Sequence, residues 1–420
     1  VTALQSAGRL MLKLARTLLV SRGDAPEEVL PSPGSLARIH DQYRRLMPLA
    51  TLGLKRLGHF TSDGVQNIPR AGPCVLLMNH VALYDALHVS HAAGRPVIFL
   101  ASQALFKDDL RGRFLQSMGM IPKRKFTPDT RAIRTLRGWI EAGAAVGIFP
   151  EGERSWDGQP LPMVPGIGKL IRFLQAPVVT ARIHNGDHHW PRWAVNHRRG
   201  RVHIEFDAPV SFGRRDDPGM IEAHVRSRIF PGDQTRRWPV RGRALAEGLP
   251  NLLFRCPCCD APESLLTRGD EIRCSACSAA WTVDTTGGLT ALRENARDTS
   301  VTEQVARLMA YIGGGAVQHE GRFAANGEVL RSGPGRLFDQ SREPVADRGP
   351  GRLILTRSHL RFEGPGGFSM PLTELRAATI EERRRLWLLT ADRILEPDLP
   401  FDSIVKWGWV IEHWRKAAAS

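Results

Sequence analysis

Short apolar runs alternate with helical stretches between Gly64 and Phe212, and this alternation restricts the fold more than any other feature of the chain. Helical patterns such as DALHVSHAA and TRAIRTLRGWIEAG separate the runs, which lie at 74–79, 96–102, 144–150, 176–183 and 201–210. Strands that are apolar throughout and separated by helices are typical of a mostly parallel sheet covered on both faces. The sequence therefore predicts an α/β domain with a mostly parallel sheet here.

The chain has 420 residues, which is too many for one compact core. We predict N-terminal amphipathic helices over 1–59, the α/β domain over 60–235, a cysteine-rich segment over 250–290 and a β-rich domain over 300–420. A glycine- and arginine-rich stretch at 313–351 is predicted to be a long, partly disordered loop. The apolar spacing of the last residues predicts a closing helix that carries tryptophan.

The formal charge of +15 predicts an acidic partner, which could be nucleic acid, anionic lipid or a phosphorylated substrate. No segment has the uninterrupted apolar length of a membrane-spanning helix. We therefore expect a cytoplasmic protein that is peripheral to the inner face of the membrane. The basic, apolar stretch at 36–60 either lies in the lipid headgroup layer or packs as a helix on its own domain, and both interpretations stay open.

Asn79, His80 and Asp85 interrupt an otherwise apolar segment, VLLMNHVALYD. A helix N-terminus with a capping side chain and a satisfied histidine would explain them structurally. Alternatively, the imidazole removes a proton from a substrate hydroxyl, and the carboxylate holds the other ring nitrogen. No serine or cysteine lies beside His80 in the sequence, so the substrate hydroxyl itself would be the nucleophile.

Two further segments carry groups that suit an anionic ligand. In open α/β sheets the ligand site lies at the carboxyl ends of the strands, where segments that are distant in sequence meet. Arginine is the better bidentate partner of a phosphate, and a glycine lets the backbone approach a ligand closely. The segment LQSMGMIPKRK ends in Lys123, Arg124 and Lys125, and IFPEGERS carries Glu151, Gly152, Arg154 and Ser155.

The ordered blocks NHVALYD and FPEGERS resemble those of the glycerolipid acyltransferases, which include the lysophosphatidic acid and glycerol-3-phosphate acyltransferases. The resemblance covers roughly residues 60–230. It implies that His80 is the general base and that Asp85 orients it. It also implies an acyl-coenzyme A or acyl-carrier-protein thioester as acyl donor, a membrane lipid surface as partner, and a glycerol-phosphate site lined by Arg124, Lys125, Glu151, Gly152, Arg154 and Ser155.

The chain departs from the family pattern at two places. Glu153 follows Gly152, where the family usually has threonine or another small residue. The arginine of the family's second motif falls on Lys125 if Gly119 is the glycine that precedes it, with Arg124 adjacent. Both departures concern the identity of the acceptor more than the acyl transfer itself.

Five of the six cysteines lie between Cys256 and Cys277. Two Cys-x2-Cys pairs, with fourteen residues between them, are typical of a zinc ribbon, and such clustering indicates a reducing compartment. We predict a structural Zn²⁺ that lets a segment with a tiny core fold. Its ligands are Cys256, Cys259, Cys274 and Cys277.

The C-terminal strands and final helix resemble pleckstrin-homology-like domains in their pattern alone, and a small β domain packed on the enzyme is an equal interpretation. A catalytically silent adaptor that docks on membranes is the alternative function. Nucleic acid is the least favoured partner, because the basic residues are spread over the whole chain. His184, His188 and His189 match no standard metal spacing, and we predict that they lie in a polar surface loop.

Overall fold

The computed structural model describes residues 29–106, 109–123, 129–230, 237–314, 327–341, 345–381 and 385–419. The chain divides into two compact units, Val1–Arg192 with His197–Gly242, and Trp193–Asn196 with Arg243–Ser420. The boundaries predicted inside the second unit, at 250–290 and 300–420, stay predictions. Among the described helices, none combines the length and hydropathy that a membrane-spanning segment needs.

The first unit contains a seven-stranded sheet and its covering helices. The strands are β1 Gly58–Asp63, β2 Cys74–Met78, β3 Val97–Ser102, β4 Ile121–Lys123, β5 Ala145–Ile148, β6 Val178–His184 and β7 Gly200–Phe206. The helices are α1 Pro33–Leu57, α2 Asp85–Ala93, α3 Asp109–Ser117, α4 Thr130–Glu141, α5 Ile167–Leu174, α6 Gly186–His189 and α7 Pro218–Ile229.

The strand order is β1-β7-β6-β2-β5-β3-β4, and every neighbouring pair is parallel except β6 with β7. Successive residues of β2 belong to different hydrophobic clusters, since Val75 and Leu77 pack with α4, α5 and α7 while Leu76 and Met78 pack with α2. Alternate residues of a strand point to opposite faces, so helices cover both faces of the sheet. The predicted α/β architecture is confirmed.

Helix α1 begins at a Ser32 cap and packs on the sheet domain through buried residues in both of its halves. Leu36 and Ile39 are buried in the core, and the Tyr43 hydroxyl donates to the carbonyl of Ser90 at 2.7 Å. In the second half Ala50, Leu54 and Leu57 are buried as well, so this basic stretch packs on its own domain along most of its length. The second half of the helix leaves Leu49 exposed.

The second unit contains two antiparallel sheets. The first has the order β12-β11-β10-β9-β8 and the second the order β17-β16-β15-β14-β20-β19-β18, with β13 paired to β15. The first sheet consists of β8 Leu265–Arg268, β9 Glu271–Cys274, β10 Ala280–Val283, β11 Gly288–Ala291 and β12 Thr299–Ser300. The second consists of β13 Leu330–Arg331, β14 Gly335–Asp339, β15 Ala346–Leu355, β16 His359–Glu363, β17 Phe368–Pro371, β18 Ala377–Glu381, β19 Arg385–Leu389 and β20 Ile394–Asp398.

Three helices accompany these sheets: α8 Leu249–Leu252, α9 Val301–Gly313 and α10 Ile404–Ala419. The β-rich C-terminal region and its closing helix are confirmed, and Trp407 of α10 is fully buried. Its likeness to pleckstrin-homology domains stays a prediction. The loop predicted at 313–351 is wrong where the chain is described, because β13, β14 and the start of β15 form there; residues 315–326 and 342–344 lie outside the described residues.

Candidate functional site

Strands β2 and β5 are neighbours and run parallel, so their carboxyl ends lie at the same edge of the sheet. His80 follows β2 by two residues, and the loop 149–155 follows β5 directly. The two segments, about seventy residues apart in sequence, thus meet at one place. This is the position at which open α/β sheets bind ligands.

His80 and Asp85 form a hydrogen-bonded pair at this edge. The His80 Nδ1 atom lies 2.8 Å from the Asp85 Oδ2 atom, and the same oxygen accepts the backbone N–H groups of Val81 and Ala82, each at 2.8 Å. Asp85 is fully buried at the start of α2, whereas the His80 side chain is 21 % exposed. A carboxylate acceptor at Nδ1 favours the tautomer with its lone pair on Nε2.

An aromatic ring also holds the imidazole of His80, and Asn79 holds the backbone next to it. The Phe149 ring stacks on the His80 ring with centroids 4.0 Å apart. Asn79, just before the histidine, exchanges two hydrogen bonds with the backbone of Ile183 and so ties the end of β2 to β6. The polar residues of this apolar segment therefore have separate tasks: Asn79 joins strands, and Asp85 orients the imidazole.

Glu151 contacts His80 through the backbone. Its Oε1 atom accepts the N–H of His80 at 2.6 Å, and its Oε2 atom accepts the N–H of Leu161 at 2.8 Å. Burial raises the pKa of the Glu151 carboxyl to about 8, although both backbone donors oppose this rise. The sequence placed Glu151 in the acceptor site; the structure shows its carboxyl bonded to the backbone on both oxygens.

The rest of the loop is fixed just as closely. Gly152 has a φ angle of 68°, and a Cβ atom there would lie 2.8 Å from Val164. The backbone N–H of Ser155 donates to the His80 carbonyl at 2.9 Å, and the buried Ser155 hydroxyl donates to Asp157. Arg154 lies between these anchors and is half-buried.

The predicted cation cluster is described only at its first member. Lys123 ends β4, and burial lowers the pKa of its ammonium group despite the opposing charge of Asp129. Arg124 and Lys125 lie outside the described residues, so their roles stay predictions.

The sequence interpretation missed two groups. Arg192 contacts the loop that carries Arg154, and no motif in the sequence marks it. The predicted surface loop at His184, His188 and His189 is wrong, because all three side chains are buried. The apolar strand β6, which ends at His184, is followed by a short helix whose two histidines are buried.

The four predicted zinc ligands lie together in the second unit. Their Sγ atoms are all within 4.8 Å of one another, and both Cys256–Cys277 and Cys259–Cys274 are separated by 3.8 Å. Backbone N–H groups donate to two of the sulfurs, one in each Cys-x2-Cys turn. A tetrahedral Zn²⁺ with Zn–S bonds of about 2.3 Å requires sulfur separations of about 3.8 Å, so the residues fit this ion.

Comparison with known proteins relates part of the first unit to a protein family. Residues 59–184 match the model of the Acyltransferase family. A chloroplastic 1-acyl-sn-glycerol-3-phosphate acyltransferase of Brassica napus is 28% identical over 120 residues, which are 28% of this chain and 35% of that protein. A 1-acyl-sn-glycerol-3-phosphate acyltransferase of Borreliella burgdorferi is 25% identical over 128 residues, which are 29% of this chain and 50% of that protein.

The crystal structure of the 1-acyl-sn-glycerophosphate acyltransferase of Thermotoga maritima aligns with 54% of this chain and 96% of its own, with a TM-score of 0.39 and 19% identity. The chain spans between about a third and a half of the length of the two curated relatives, at 35% and 50%. Residues 59–184 therefore form a domain that matches the Acyltransferase family, and part of the chain is similar to 1-acyl-sn-glycerol-3-phosphate acyltransferases.

Proposed function

We propose that this protein transfers a fatty acyl group from a thioester to a hydroxyl of a glycerol-phosphate or lysophospholipid acceptor. One observation carries the proposal: the His80–Asp85 pair, 2.8 Å apart, lies at the sheet edge beside the loop that bears Arg154. The family model that matches residues 59–184 and the names of the two relatives support the same reaction class.

In this mechanism His80 acts as the general base. Its Nε2 atom takes the proton of the acceptor hydroxyl as the oxygen attacks the thioester carbonyl carbon. The C–O bond forms, the C–S bond breaks, and the leaving thiolate receives the proton from the imidazolium. Asp85 orients the ring and stabilises its charged form without taking the proton itself. An ester and a free thiol are the products.

The acceptor phosphate is proposed to bind Arg154 together with Arg124 and Lys125. A guanidinium pairs with phosphate through two parallel hydrogen bonds, which gives direction as well as charge. Gly152 permits the left-handed turn of this loop, where a side chain would collide with Val164. Ser155 and Glu151 both bond to His80. They therefore hold the loop that bears Arg154 next to the proposed base.

The donor and the acceptor are tested together with purified protein. Acyl-coenzyme A and acyl-carrier-protein thioesters are offered separately with lysophosphatidate, glycerol 3-phosphate or lysophosphatidylcholine, and thiol release and ester product are measured. We expect turnover with one of the phosphate acceptors and its loss in His80→Ala. Lipid binding without turnover for any pair would instead favour the adaptor.

A structural Zn²⁺ in the second unit is also proposed. Cys256, Cys259, Cys274 and Cys277 would hold it, and the ion would supply cross-linking of the ribbon strands. All four coordination positions would be filled by thiolates, so no position would be open for catalysis. The proposed role of the ion is therefore structural, and acyl transfer is proposed for the first unit alone.

A lipid surface is the proposed partner, and the inner face of the cytoplasmic membrane the proposed location. The acceptor is amphiphilic, and the second half of α1 exposes Leu49 and Leu52 among Arg45, Lys55 and Arg56. Apolar side chains rimmed by cations suit an anionic headgroup layer. Sedimentation with anionic vesicles, and its reduction in Leu49→Glu/Leu52→Glu, would support this placement; equal sedimentation would count against it.

A further inference from the structure

Glu153 departs from the small residue usual at its position, and the structure shows its partner. The Glu153 Oε1 atom accepts a hydrogen bond from Nη2 of Arg192 at 2.6 Å. The Arg192 side chain is only 2 % exposed. A guanidinium at this depth is costly unless charge and hydrogen bonds compensate it, so removal of either partner leaves the other poorly satisfied.

Arg192 contacts the same loop at two further points. Its Nη1 atom donates to the carbonyl oxygen of Arg154 at 2.7 Å. Its guanidinium carbon lies 4.1 Å from the centre of the buried Trp156 ring. A planar fork can make these contacts at once, whereas an ammonium group is a single point charge.

Two other anchors hold this loop to the proposed base. Glu151 accepts the N–H of His80, and the N–H of Ser155 donates to the carbonyl of His80. Arg154 lies between these anchors, and Arg192 binds its carbonyl oxygen directly. The backbone of Arg154 is thus fixed relative to the imidazole before any ligand arrives.

We propose that Arg192 is a positioning residue for the acceptor: through Glu153, Arg154 and Trp156 it fixes the loop so that the Arg154 guanidinium meets the acceptor phosphate. This inference rests on the proposed function. Small displacements of a binding group can lower the rate roughly 10²-fold, because the entropy cost of positioning the substrate then adds to the free energy of binding. The effect falls on the acceptor and leaves the acyl donor unaffected.

The test compares Arg192→Lys with Arg95→Lys. Arg95 is also buried and also donates to two backbone carbonyls, those of Pro69 and Gly143, but it lies outside the proposed site. We expect Arg192→Lys to raise the acceptor KM about tenfold while the donor KM changes less than about twofold, and Arg95→Lys to change neither. An unchanged acceptor KM in Arg192→Lys, or equal rises in both KM values, overturns the proposal.

A second variant keeps the test decisive if Arg192→Lys does not fold. It also tests the positioning role by ligand binding, without any need for turnover. Glu153→Gln removes the ion pair at a side chain that is 21 % exposed. Calorimetric binding of a short-chain lysophosphatidate is measured for the wild type and for this variant. Binding weakened about fivefold or more supports the positioning role even if the wild type does not turn over, which would defeat only the proposed function. Equal binding by both proteins overturns the role of Arg192.

Discussion

The Oδ2 atom of Asp85 lies 2.8 Å from Nδ1 of His80, and two backbone N–H groups share the same oxygen. Three donors on one oxygen fix the direction of the carboxylate. The imidazole orientation is therefore set by Asp85 at the start of α2, on the same chain segment, and by the Phe149 ring that stacks on it.

Asp85→Asn should lower kcat by about 10²–10⁴-fold with small changes in both KM values, because a neutral amide oxygen in the place of Oδ2 keeps the hydrogen bonds but no longer stabilises the imidazolium that forms in the reaction. Steady-state kinetics with both substrates varied checks this expectation. Asp129→Asn is the matched control, since Asp129 caps α4 through the N–H of Ala132 and asparagine caps equally well. Unaltered kcat in Asp85→Asn would remove the dyad from the mechanism.

Glu151→Gln should destabilise the protein by about 1–3 kcal/mol, because one of the two backbone N–H groups that donate to this buried side chain then faces an amide N–H. Burial raises the pKa of the native carboxyl to about 8, whereas it titrates near 4.5 when unfolded. Stability from this group is therefore complete below pH 4.5 and is lost as the pH rises towards 8.

Urea unfolding at pH 5 and pH 8 measures this dependence, and the loss should be absent in Glu151→Gln. The exposed Glu141, paired with Arg137 on the surface of α4, provides the control Glu141→Gln. If the unfolding free energies of the wild type and Glu151→Gln change equally between pH 5 and pH 8, burial does not hold the Glu151 proton.

The strand pattern predicted the sheet because apolar runs report burial on both faces, and β2, β3, β5 and β6 formed within a few residues of their predicted ends. The position of both motifs at the carboxyl ends of strands also predicted that His80 and the loop after β5 meet. The contact of Arg192 with this loop could not be predicted, because it is a tertiary pairing of a single arginine with no local signal. Similarly, the glycine-rich stretch before β15 has weak local preference, and cross-strand pairing decides its structure.

Removal of the metal should unfold the ribbon. Cys259→Ser should lose bound zinc, measured by elemental analysis, and lower the temperature at which the second unit melts, because the small core of this segment depends on the cross-link. Cys258→Ser is the matched control, since its sulfur donates to the Asn295 carbonyl and is not one of the four clustered sulfurs. Equal zinc content in both variants would exclude the predicted ligand set.

A group of buried histidines should make the first unit sensitive to acid. His88 stacks on Phe60 with ring centroids 5.2 Å apart, and its ring lies 6.2 Å from that of His189. Burial lowers the pKa of His88 to about 4, with His189 and His91 adding to the effect and Asp85 opposing it. In the unfolded chain the imidazole titrates near 6.5.

Because the unfolded state takes up the proton first, the stability that the neutral His88 contributes is complete above pH 6.5 and is lost as the pH drops towards 4. The His88 contribution to this fall is on the order of 3 kcal/mol. His88→Phe keeps the stack on Phe60 and cannot titrate, so the difference between its unfolding free energy and that of the wild type should shift by this amount between pH 7 and pH 4. His59 is exposed and lies in β1 next to Phe60, so His59→Phe serves as the control. Parallel profiles of unfolding free energy against pH for the wild type and His88→Phe would mean that the buried imidazole is protonated as readily in the native protein as in the unfolded chain. Another group would then have to account for any loss of stability in acid.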